Sequence, residues 1–420
     1  MNKFRLLCGT FLFLSLFLSR GYAQEVLTWS DCLAEAKKNH PDLISAQEAV
    51  KQSEAAKGIT SSSALPQINS NLDASTQSSS GKTTNSFSYG VTGSQLLFDG
   101  GATLNQIRAA GENIKVARFN YKFTSADVRL RLRTAYINLL KAQEALMLTE
   151  DIFKIRRGNL ELITLRYQSG MEHRGALLTA EANLAEAQFE IAQALRGSEV
   201  SQRQLIKELG RKGFSEIKVE GDFIVKEPEK QRPDFDALVL ANPSLLALLT
   251  KINQANFSLK SAYDNFFPQV SAQVGAGRSD SRWPPQNSQA DAGLSLSFPI
   301  FEGGLRLAQV EQAKSALSQA KADERSGRDA LVLALEETWA FLQDALQVVG
   351  VQQKFLDASE MRSKIAEVQY STGFITYDNW SIIQDDYVSA KKSFLNAEAN
   401  ALQAQANWIQ AKGETLEYAK

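Results

Sequence analysis

The chain has 420 residues with 46 basic and 47 acidic side chains, a net charge of −1, and 44% hydrophobic residues. This composition is typical of a folding protein and excludes a disordered or collagen-like one. The balanced charge provides no basic field for nucleic acid, so no nucleic-acid partner is expected. The two histidines, His40 and His173, stand far apart in the sequence, which excludes a His-rich metal cage.

The N-terminus has the order of a secretory signal. Lys3 and Arg5 precede an apolar run over residues 6–18, and small residues follow up to Ala23. This order predicts a signal peptide over residues 1–23. The apolar run is shorter than the ~20 residues of a membrane-spanning helix, and no later stretch is long and apolar enough. Any membrane insertion is therefore expected through strands.

The segment after the signal changes from a helical to a strand pattern. Helical periodicity runs from Ser30 to about Lys57, with a break at Pro41. Alternation of period two then predicts a β-hairpin at about 66–98 with arms of about ten residues. Arms of this length suit either tilted membrane-spanning strands or a soluble hairpin that packs one face on a domain core. A single hairpin does not decide between these two interpretations. On one side of the alternation lie Ile68, Ser70, Leu72, Ala74, Phe87, Tyr89, Val91 and Gly93.

Gly100 and Gly101 mark the switch from strand to a long helical hairpin predicted at about 101–210. The first arm has no proline from Ala102 to Tyr167, and a helix of roughly 65 residues extends on the order of 100 Å. Seven-residue apolar repeats in both arms predict helices packed along their length as a left-handed coiled coil. The repeated positions include Leu132, Leu139, Leu146, Phe153 and Leu160, then Leu177, Leu184 and Ile191.

Landmarks of the first half recur in the second at an almost constant offset. Pro41 and Pro243 lie 202 positions apart, and Gly170 and Gly373 lie 203 apart. Landmarks in the same order at this spacing predict a tandem duplication. The predicted organisation is a first repeat at 24–210, a connector at 211–236, a second repeat at 237–413 and a tail at 414–420. The connector is expected to hold one short strand at 217–225. The second repeat holds a β-hairpin at about 268–301 and a helical hairpin at about 304–413.

This organisation predicts an oligomer. Helical hairpins of this length have little core of their own, so their heptad seams need neighbours. Four strands leave two open edges that lipid does not tolerate, and bacterial barrels have an even number of about eight strands or more. Three chains supply twelve strands and one closed barrel, whereas two chains give a narrow, filled one. A homotrimer around an aqueous tube is therefore the favoured prediction.

The duplicated order of elements resembles the TolC family of outer-membrane efflux proteins. The resemblance spans essentially the whole mature chain and implies a mainly α protein with a membrane β part. It implies a trimeric 12-stranded β-barrel, with four strands per chain, continuous with a long α-helical periplasmic barrel in the outer membrane of a Gram-negative-type bacterium. It is carried by Asn39-His40-Pro41, Leu65-Pro66-Gln67, Leu97-Phe98-Asp99-Gly100-Gly101, Arg166-Tyr167-Gln168-Ser169-Gly170 and their second-half copies.

The resemblance further implies the outer-membrane channel of a tripartite efflux or type I secretion system. Such a channel is a passive exit duct for substrates that an inner-membrane transporter delivers through a periplasmic adaptor (membrane fusion) protein. The sequence has no Walker loop, His-Glu-x-x-His or G-x-S-x-G motif, so neither enzymatic activity nor a cofactor is expected. The alternative is a periplasmic adaptor or structural coiled-coil protein, which does not need a duplicated pair of ten-residue alternating strands.

The two helical turns are the candidate functional sites, because by resemblance they lie where family members close the pore and meet the adaptor. Tyr370 matches a tyrosine that takes part in closing the channel. Ile375, Ala176 and Asn379 stand where the best-known polar latch has an arginine and acids, so that latch cannot be carried over. The candidates for gate or adaptor contact are Arg166, Tyr167, Gly170, Glu172, Tyr370, Gly373, Asp378 and Asp385.

Two alternatives remain open at these turns. The acids Glu172, Asp378 and Asp385 either form a ring that attracts cations in a three-fold lumen or face water on a helix surface. Arg166 and Tyr167 either pack at a helix end or contact the adaptor.

Overall fold

The computed structural model describes residues 25–225 and 231–418, so the predicted signal peptide lies outside the described residues. The chain is mainly helical, as predicted, and one order of elements occurs twice. The first copy comprises β1 (Glu25–Leu27), α1 (Trp29–Asn39), α2 (Pro41–Ser62), β2 (Gln67–Ser79), β3 (Lys82–Phe98), α3 (Ala102–Gln168) and α4 (Arg174–Leu209). After β4 (Ile217–Val219), the second comprises α5 (Phe235–Ala241), α6 (Pro243–Asp264), β5 (Gln269–Asp280), β6 (Asn287–Ser297), α7 (Leu305–Ser371) and α8 (Tyr377–Ala411).

Equivalent capping residues start the second helix of each copy. His40 Nδ1 accepts a hydrogen bond from Asp42 N at 3.1 Å, and Asn242 Oδ1 accepts one from Ser244 N at 2.9 Å. The proline that follows each cap lacks a backbone N–H and suits the first helical position. The helix break predicted at Pro41 is therefore made the same way in both copies.

The strands form one antiparallel sheet in the order β2-β3-β5-β6, with β2 and β6 at its edges. Gly93 pairs with both Ile68 and Val274, and Val274 pairs with Ala292. Cross-strand partners share a face, so this register puts the alternating apolar positions of all four strands on one side of the sheet. The other side is polar or small apart from Leu96, which pairs with Ser271 beside a register shift. Its polar residues are Asn69, Asn71, Asp73, Ser88, Thr92, Ser271, Gln273, Asp291, Ser295 and Ser297.

Two long helical hairpins make the rest of the fold. The helices α3 and α7 have 67 residues each, about 100 Å at 1.5 Å per residue. In the predicted heptad rows Leu132, Leu139, Leu335 and Leu342 are buried. The helix α8 packs along α3, where Ile137 shares a buried cluster with three residues of α8. The first hairpin thus lies against the second within one chain.

The connector packs across the base of the first hairpin. Its strand β4 pairs in parallel with β1. The predicted strand at 217–225 is too long, because it ends at Val219, where both backbone groups bond the Gln143 side chain at 2.9 Å. The Glu220 carbonyl then accepts the Tyr136 hydroxyl, and no strand continues.

Within the described residues no single helix combines the length and the apolarity needed to cross a membrane. One bent pair, α5 and α6 with 60° between them, meets that criterion only when both helices are counted together.

Candidate functional site at the helical tips

Each long hairpin reverses direction through a glycine in the left-handed region. The φ angle is +74° at Gly170 and +83° at Gly373, a conformation that other residues adopt only with strain. In the first turn Met171 N donates to Arg166 O at 2.8 Å, and the equivalent bond of the second turn has the same length. This pattern satisfies carbonyls that the ending helix leaves open. The sequence places both turns correctly.

A polar side chain starts each return helix. His173 Nδ1 accepts from Ala176 N at 3.1 Å at the start of α4, and Thr376 Oγ1 accepts from Asn379 N at 3.5 Å at the start of α8. Both side chains satisfy N–H groups that a helix start leaves free. His173 therefore has a capping role that its sequence context did not indicate.

Tyr370 is the centre of a contact between the two tips. It is 1% exposed, although it comes from the last turn of α7. Its ring stacks on Trp380, with centroids 4.6 Å apart, and the Arg166 guanidinium lies over the ring at 4.6 Å. Its hydroxyl donates to Glu172 Oε2 at 2.8 Å. We call Arg166, Glu172, Tyr370 and Trp380 the tip clamp, because the first two belong to the first hairpin and the others to the second.

Charge and burial both favour this arrangement. Arg166 Nη1 donates to Tyr370 O at 3.0 Å and to Ser371 O at 3.4 Å, where a cation also interacts favourably with the C-terminal dipole of α7. Burial, and then the hydrogen bond to Glu172, raise the pKa of Tyr370 well above its usual range. The hydroxyl therefore stays protonated and donates to the carboxylate at neutral pH.

The other predicted residues lie around the clamp and not within it. Tyr167, the first-repeat equivalent of Tyr370, is 39% exposed. Asp378 is exposed in the first turn of α8, where a negative charge suits the helix dipole. Asp385 forms an ion pair with Arg156 of α3 at 2.6 Å, a second link between the hairpins. The structure thus groups Arg166, Glu172 and Tyr370 and leaves Tyr167 and Asp378 at the surface.

Sequence reasoning missed two sets of tip residues. The sequence singles out neither Trp380, which stacks on Tyr370, nor Tyr377, which packs edge-on against Tyr370 with centroids 6.3 Å apart. Met171 and Phe374 directly follow the two turn glycines and are 63% and 83% exposed. Their equivalent positions in the two repeats were the signal that could have revealed them.

Elsewhere in the described part of the chain, no group of three or more His, Cys, Asp or Glu side chains is placed to hold a metal ion. An open groove of about 1190 Å³ lies beside the connector, lined in part by Met147, Leu195, Arg203 and Phe214.

A duplicated set of long strands and long helical hairpins is the architecture of outer-membrane export channels. The family model of outer membrane efflux proteins matches residues 32–211 and 236–414, one stretch for each repeat. The chain belongs to this family.

Individual relatives agree. The chain is 22% identical over 343 residues to the outer membrane efflux protein BepC of Brucella suis biovar 1, covering 80% of this chain and 74% of BepC. It is 22% identical over 293 residues to the outer membrane protein TolC of Escherichia coli K12, covering 64% and 57%. The crystal structure of the Campylobacter jejuni CmeC outer membrane channel superposes with a TM-score of 0.81 at 19% identity, covering 91% and 85%.

These findings confirm the predicted family, export function and outer-membrane location. The family and its solved relatives are transport channels rather than enzymes.

Proposed function

We propose that the chain forms a homotrimer whose twelve strands close one β-barrel and whose helices continue as a periplasmic tunnel. The tunnel is the passive exit duct of a tripartite efflux or type I secretion system. An inner-membrane transporter supplies the energy, and a periplasmic adaptor connects it to the tips. The observation that carries the proposal is that contacts between the two repeats of one chain have open counterparts on its outer edges.

The helical hairpins provide the first such comparison. Ile152 of α3 is 2% exposed, because it packs with Ala187 and with Val388 of α8. Its equivalent in the second repeat, Phe355 of α7, is 60% exposed. Leu148 is likewise half-buried in that cluster, whereas its equivalent Val351 is exposed. An apolar heptad seam on α7 therefore lacks the cover that its counterpart on α3 has.

The junction between sheet and helices gives the same result. A side chain at Gly100 would collide with Phe267, so the first strand-to-helix turn packs against the second repeat. A side chain at Gly303, the equivalent turn, would meet nothing within 4 Å. Leu65, the equivalent of Phe267, is exposed. A second copy of this chain whose Leu65 packs against Gly303 would repeat, between chains, the contact that Phe267 makes with Gly100.

These open surfaces fit one another when copies follow in a ring. The second repeat of one chain then meets the first repeat of the next, so α7 packs on the neighbour's α4, where Leu178 and Phe189 are exposed. In the same arrangement, edge strand β6 pairs with edge strand β2 of the neighbouring chain. Three copies supply twelve strands, within the range of bacterial barrels.

The two faces of the sheet suit a barrel in lipid. Apolar residues on one face contact hydrocarbon, and the polar face of Asn, Ser, Gln and Thr lines water. Exposed aromatic residues gather where the sheet meets the helices, as expected at a membrane–water interface. They include Phe266, Phe267, Phe298 and Phe301.

The tips serve as gate and adaptor contact in this proposal. Arg166, Glu172 and Tyr370 hold two hairpins together, and Gly170 and Gly373 shape the ends. Tyr167 and Asp378 are exposed near the same end of the chain, and Asp385 pairs with Arg156. Met171 and Phe374 add two exposed apolar residues at equivalent positions, which suit an apolar surface on the adaptor.

The oligomer is tested by measuring particle mass in detergent by light scattering. The wild type is expected as a trimer, and Phe355→Asp is expected to dissociate it by placing a charge in the apolar seam. Lys354→Asp, at the adjacent exposed position, is the matched control and should remain trimeric. Trimeric wild type should conduct ions in planar bilayers. Release of the wild type as a monomer without detergent would favour the periplasmic adaptor or coiled-coil alternative.

A further inference from the structure

We infer that the end of the sheet farthest from the helices carries a binding site for the phosphate of an outer-leaflet lipid, with Arg278 and Arg282 as its cations. We call Phe87, Tyr89, Arg278, Arg282 and Trp283 the outer-rim patch. The inference rests on the proposed barrel, because it requires the apolar face of the sheet to contact lipid. It assigns a lipid ligand to the outside of that barrel.

Arg278 lies on the face of the sheet that is otherwise apolar. It is exposed, and it pairs with Tyr89 of β3 and with Ser288 of β6. Two residues closer to the helices, Ala276 lies on the same face and pairs with Val91. Because β5 has a strand on each side, Arg278 is away from both open edges of the sheet. A neighbouring chain that pairs with an edge strand therefore leaves Arg278 uncovered.

The position of Arg278 along β5 corresponds to the outer limit of the lipid. The strand begins close to the helix α6 and has 12 residues, about 40 Å at 3.3 Å per residue. A tilt of about 40° reduces this length to a height of about 30 Å, whereas the apolar band of a bacterial barrel is about 25 Å tall. Arg278 is the third residue from the far end of the strand, so its long side chain reaches the level of the headgroups. An arginine at that level is far less costly than one at the bilayer centre.

Both arginines are available to an anion. Within the described residues neither Arg278 nor Arg282 forms an ion pair. Asp280, the acid between them, accepts hydrogen bonds from Ser281 N at 2.6 Å and from Gln286 N at 3.4 Å, so both of its oxygens help to shape the loop. A guanidinium offers several N–H donors in a planar arrangement that matches the oxygens of a phosphate.

Aromatic rings flank the two arginines on the same side of the sheet. Trp283 is 59% exposed and packs edge-on against Phe87, with centroids 6.3 Å apart. Tyr89 is also exposed, beside Arg278. Tryptophan and tyrosine prefer the level of the lipid headgroups, where one end of the ring system is apolar and the other is wet. The rings therefore suit the upper acyl chains of a lipid whose phosphate the arginines hold.

The first hairpin lacks this chemistry at its far end. Residues 75–86 contain no aromatic side chain and a single base, Lys82. Lys82 pairs with Ser79 at the turn and lies on the polar face. Thr76, which is equivalent to Arg278, bonds the Asn85 side chain at 2.9 Å. Each chain therefore offers one lipid site, and Lys82 provides a matched control for the loss of one positive charge.

Native mass spectrometry of the full-length protein in detergent, with added lipid A as the phosphorylated outer-leaflet lipid, measures binding directly. The wild type is expected to bind one lipid A per chain, and Arg278→Gln is expected to bind about tenfold more weakly, because a charge-assisted contact to phosphate is lost. Lys82→Gln removes the same charge from the polar face and should bind as the wild type does. Absence of binding to the wild type, or equal binding by the two variants, would overturn the inference.

The orientation of the sheet is measured separately through Trp283. The emission that Trp283→Phe removes belongs to this residue, and it is expected to be quenched by phosphatidylcholine that is brominated high on its acyl chains. If it is not quenched, the apolar face does not contact lipid, and the proposed barrel fails together with the inference. If it is quenched and Arg278→Gln still binds lipid A as the wild type does, the barrel stands and the inference alone is overturned.

Discussion

Tyr167 and Tyr370 occupy equivalent positions at the ends of α3 and α7, yet Tyr370 is buried between the two hairpins and Tyr167 is exposed. The difference arises because both hairpins of one chain enclose Tyr370, whereas Tyr167 lies where the same chain offers no second hairpin. This asymmetry provides matched pairs of substitutions for testing the tips.

Replacement of Tyr370 by Phe is expected to destabilise the tip by about 1–3 kcal/mol. The Glu172 carboxylate, only 10% exposed, then loses its hydroxyl donor while the ring stack remains. Hydrogen exchange of amides in the last turn of α7 measures the effect. Tyr167→Phe is the control and should change hydrogen exchange little, because the Tyr167 side chain is 39% exposed. If both variants change exchange equally, the hydrogen bond from Tyr370 to Glu172 does not stabilise the tip.

The tip is expected to lose stability at alkaline pH. The pKa of Tyr370 is raised in the folded chain, chiefly by burial, so the folded state holds this proton more tightly than the unfolded state. Stability is therefore fully present below the unfolded tyrosine pKa of about 10 and falls as the pH rises above it. Exchange of tip amides followed between pH 8 and about 11 should show the loss, and Tyr370→Phe should lessen its pH dependence. An unchanged dependence in the variant would assign it to another group, such as Tyr377.

The cap at His40 is expected to tolerate asparagine better than alanine. His40 Nδ1 accepts from Asp42 N, so its Nε2 carries the proton and donates to the buried Glu208 at 3.2 Å. Asparagine keeps a side-chain acceptor for the helix start, as Asn242 does in the second repeat. Alanine removes this acceptor, which costs ~1 kcal/mol of stability. Alanine also removes the hydrogen bond to Glu208, which adds to this cost. Thermal unfolding in detergent compares the two variants. Equal midpoints for His40→Asn and His40→Ala would show that the cap contributes nothing.

The two faces of the sheet are expected to respond oppositely to charge. Leu294 lies on the apolar face and its neighbour Ser295 on the polar face. An arginine facing lipid near the bilayer centre costs about 2–4 kcal/mol, so Leu294→Arg should reduce insertion into the outer membrane. Ser295→Arg should insert normally and shift the channel's ion selectivity towards anions. Membrane fractionation and reversal potentials measure the two outcomes; normal insertion of Leu294→Arg together with failure of Ser295→Arg would reverse the assigned faces.

Local signals in the sequence predicted the elements well. Pro41 and Pro243 fix helix starts, Gly170 and Gly373 fix turns, and alternation marks four strands, because each of these depends on neighbouring residues alone. The face shared by the four strands needed the register between strands, which alternation within one strand does not contain. The length of the short strand β4 is overestimated from the sequence, because the Gln143 side chain, 76 positions away, hydrogen-bonds both backbone groups of Val219.

The tip site was predictable only in part. The turns and Tyr370 followed from the repeats and the resemblance. The ion pair of Asp385 with Arg156 joins residues 229 positions apart, and the Trp380 ring meets Tyr370 only when α7 and α8 pack. Such partners depend on tertiary packing, so no local pattern could have revealed them.

Arg166 and Gln369 differ although they stand at the same place in the two repeats. A ring built from six separate half-length chains would carry one residue at all six places. Covalent fusion of two copies frees each copy to change alone, so the two tips of one chain carry different side chains at the same place. Joining two halves in one gene thereby gives a single protein two kinds of tip.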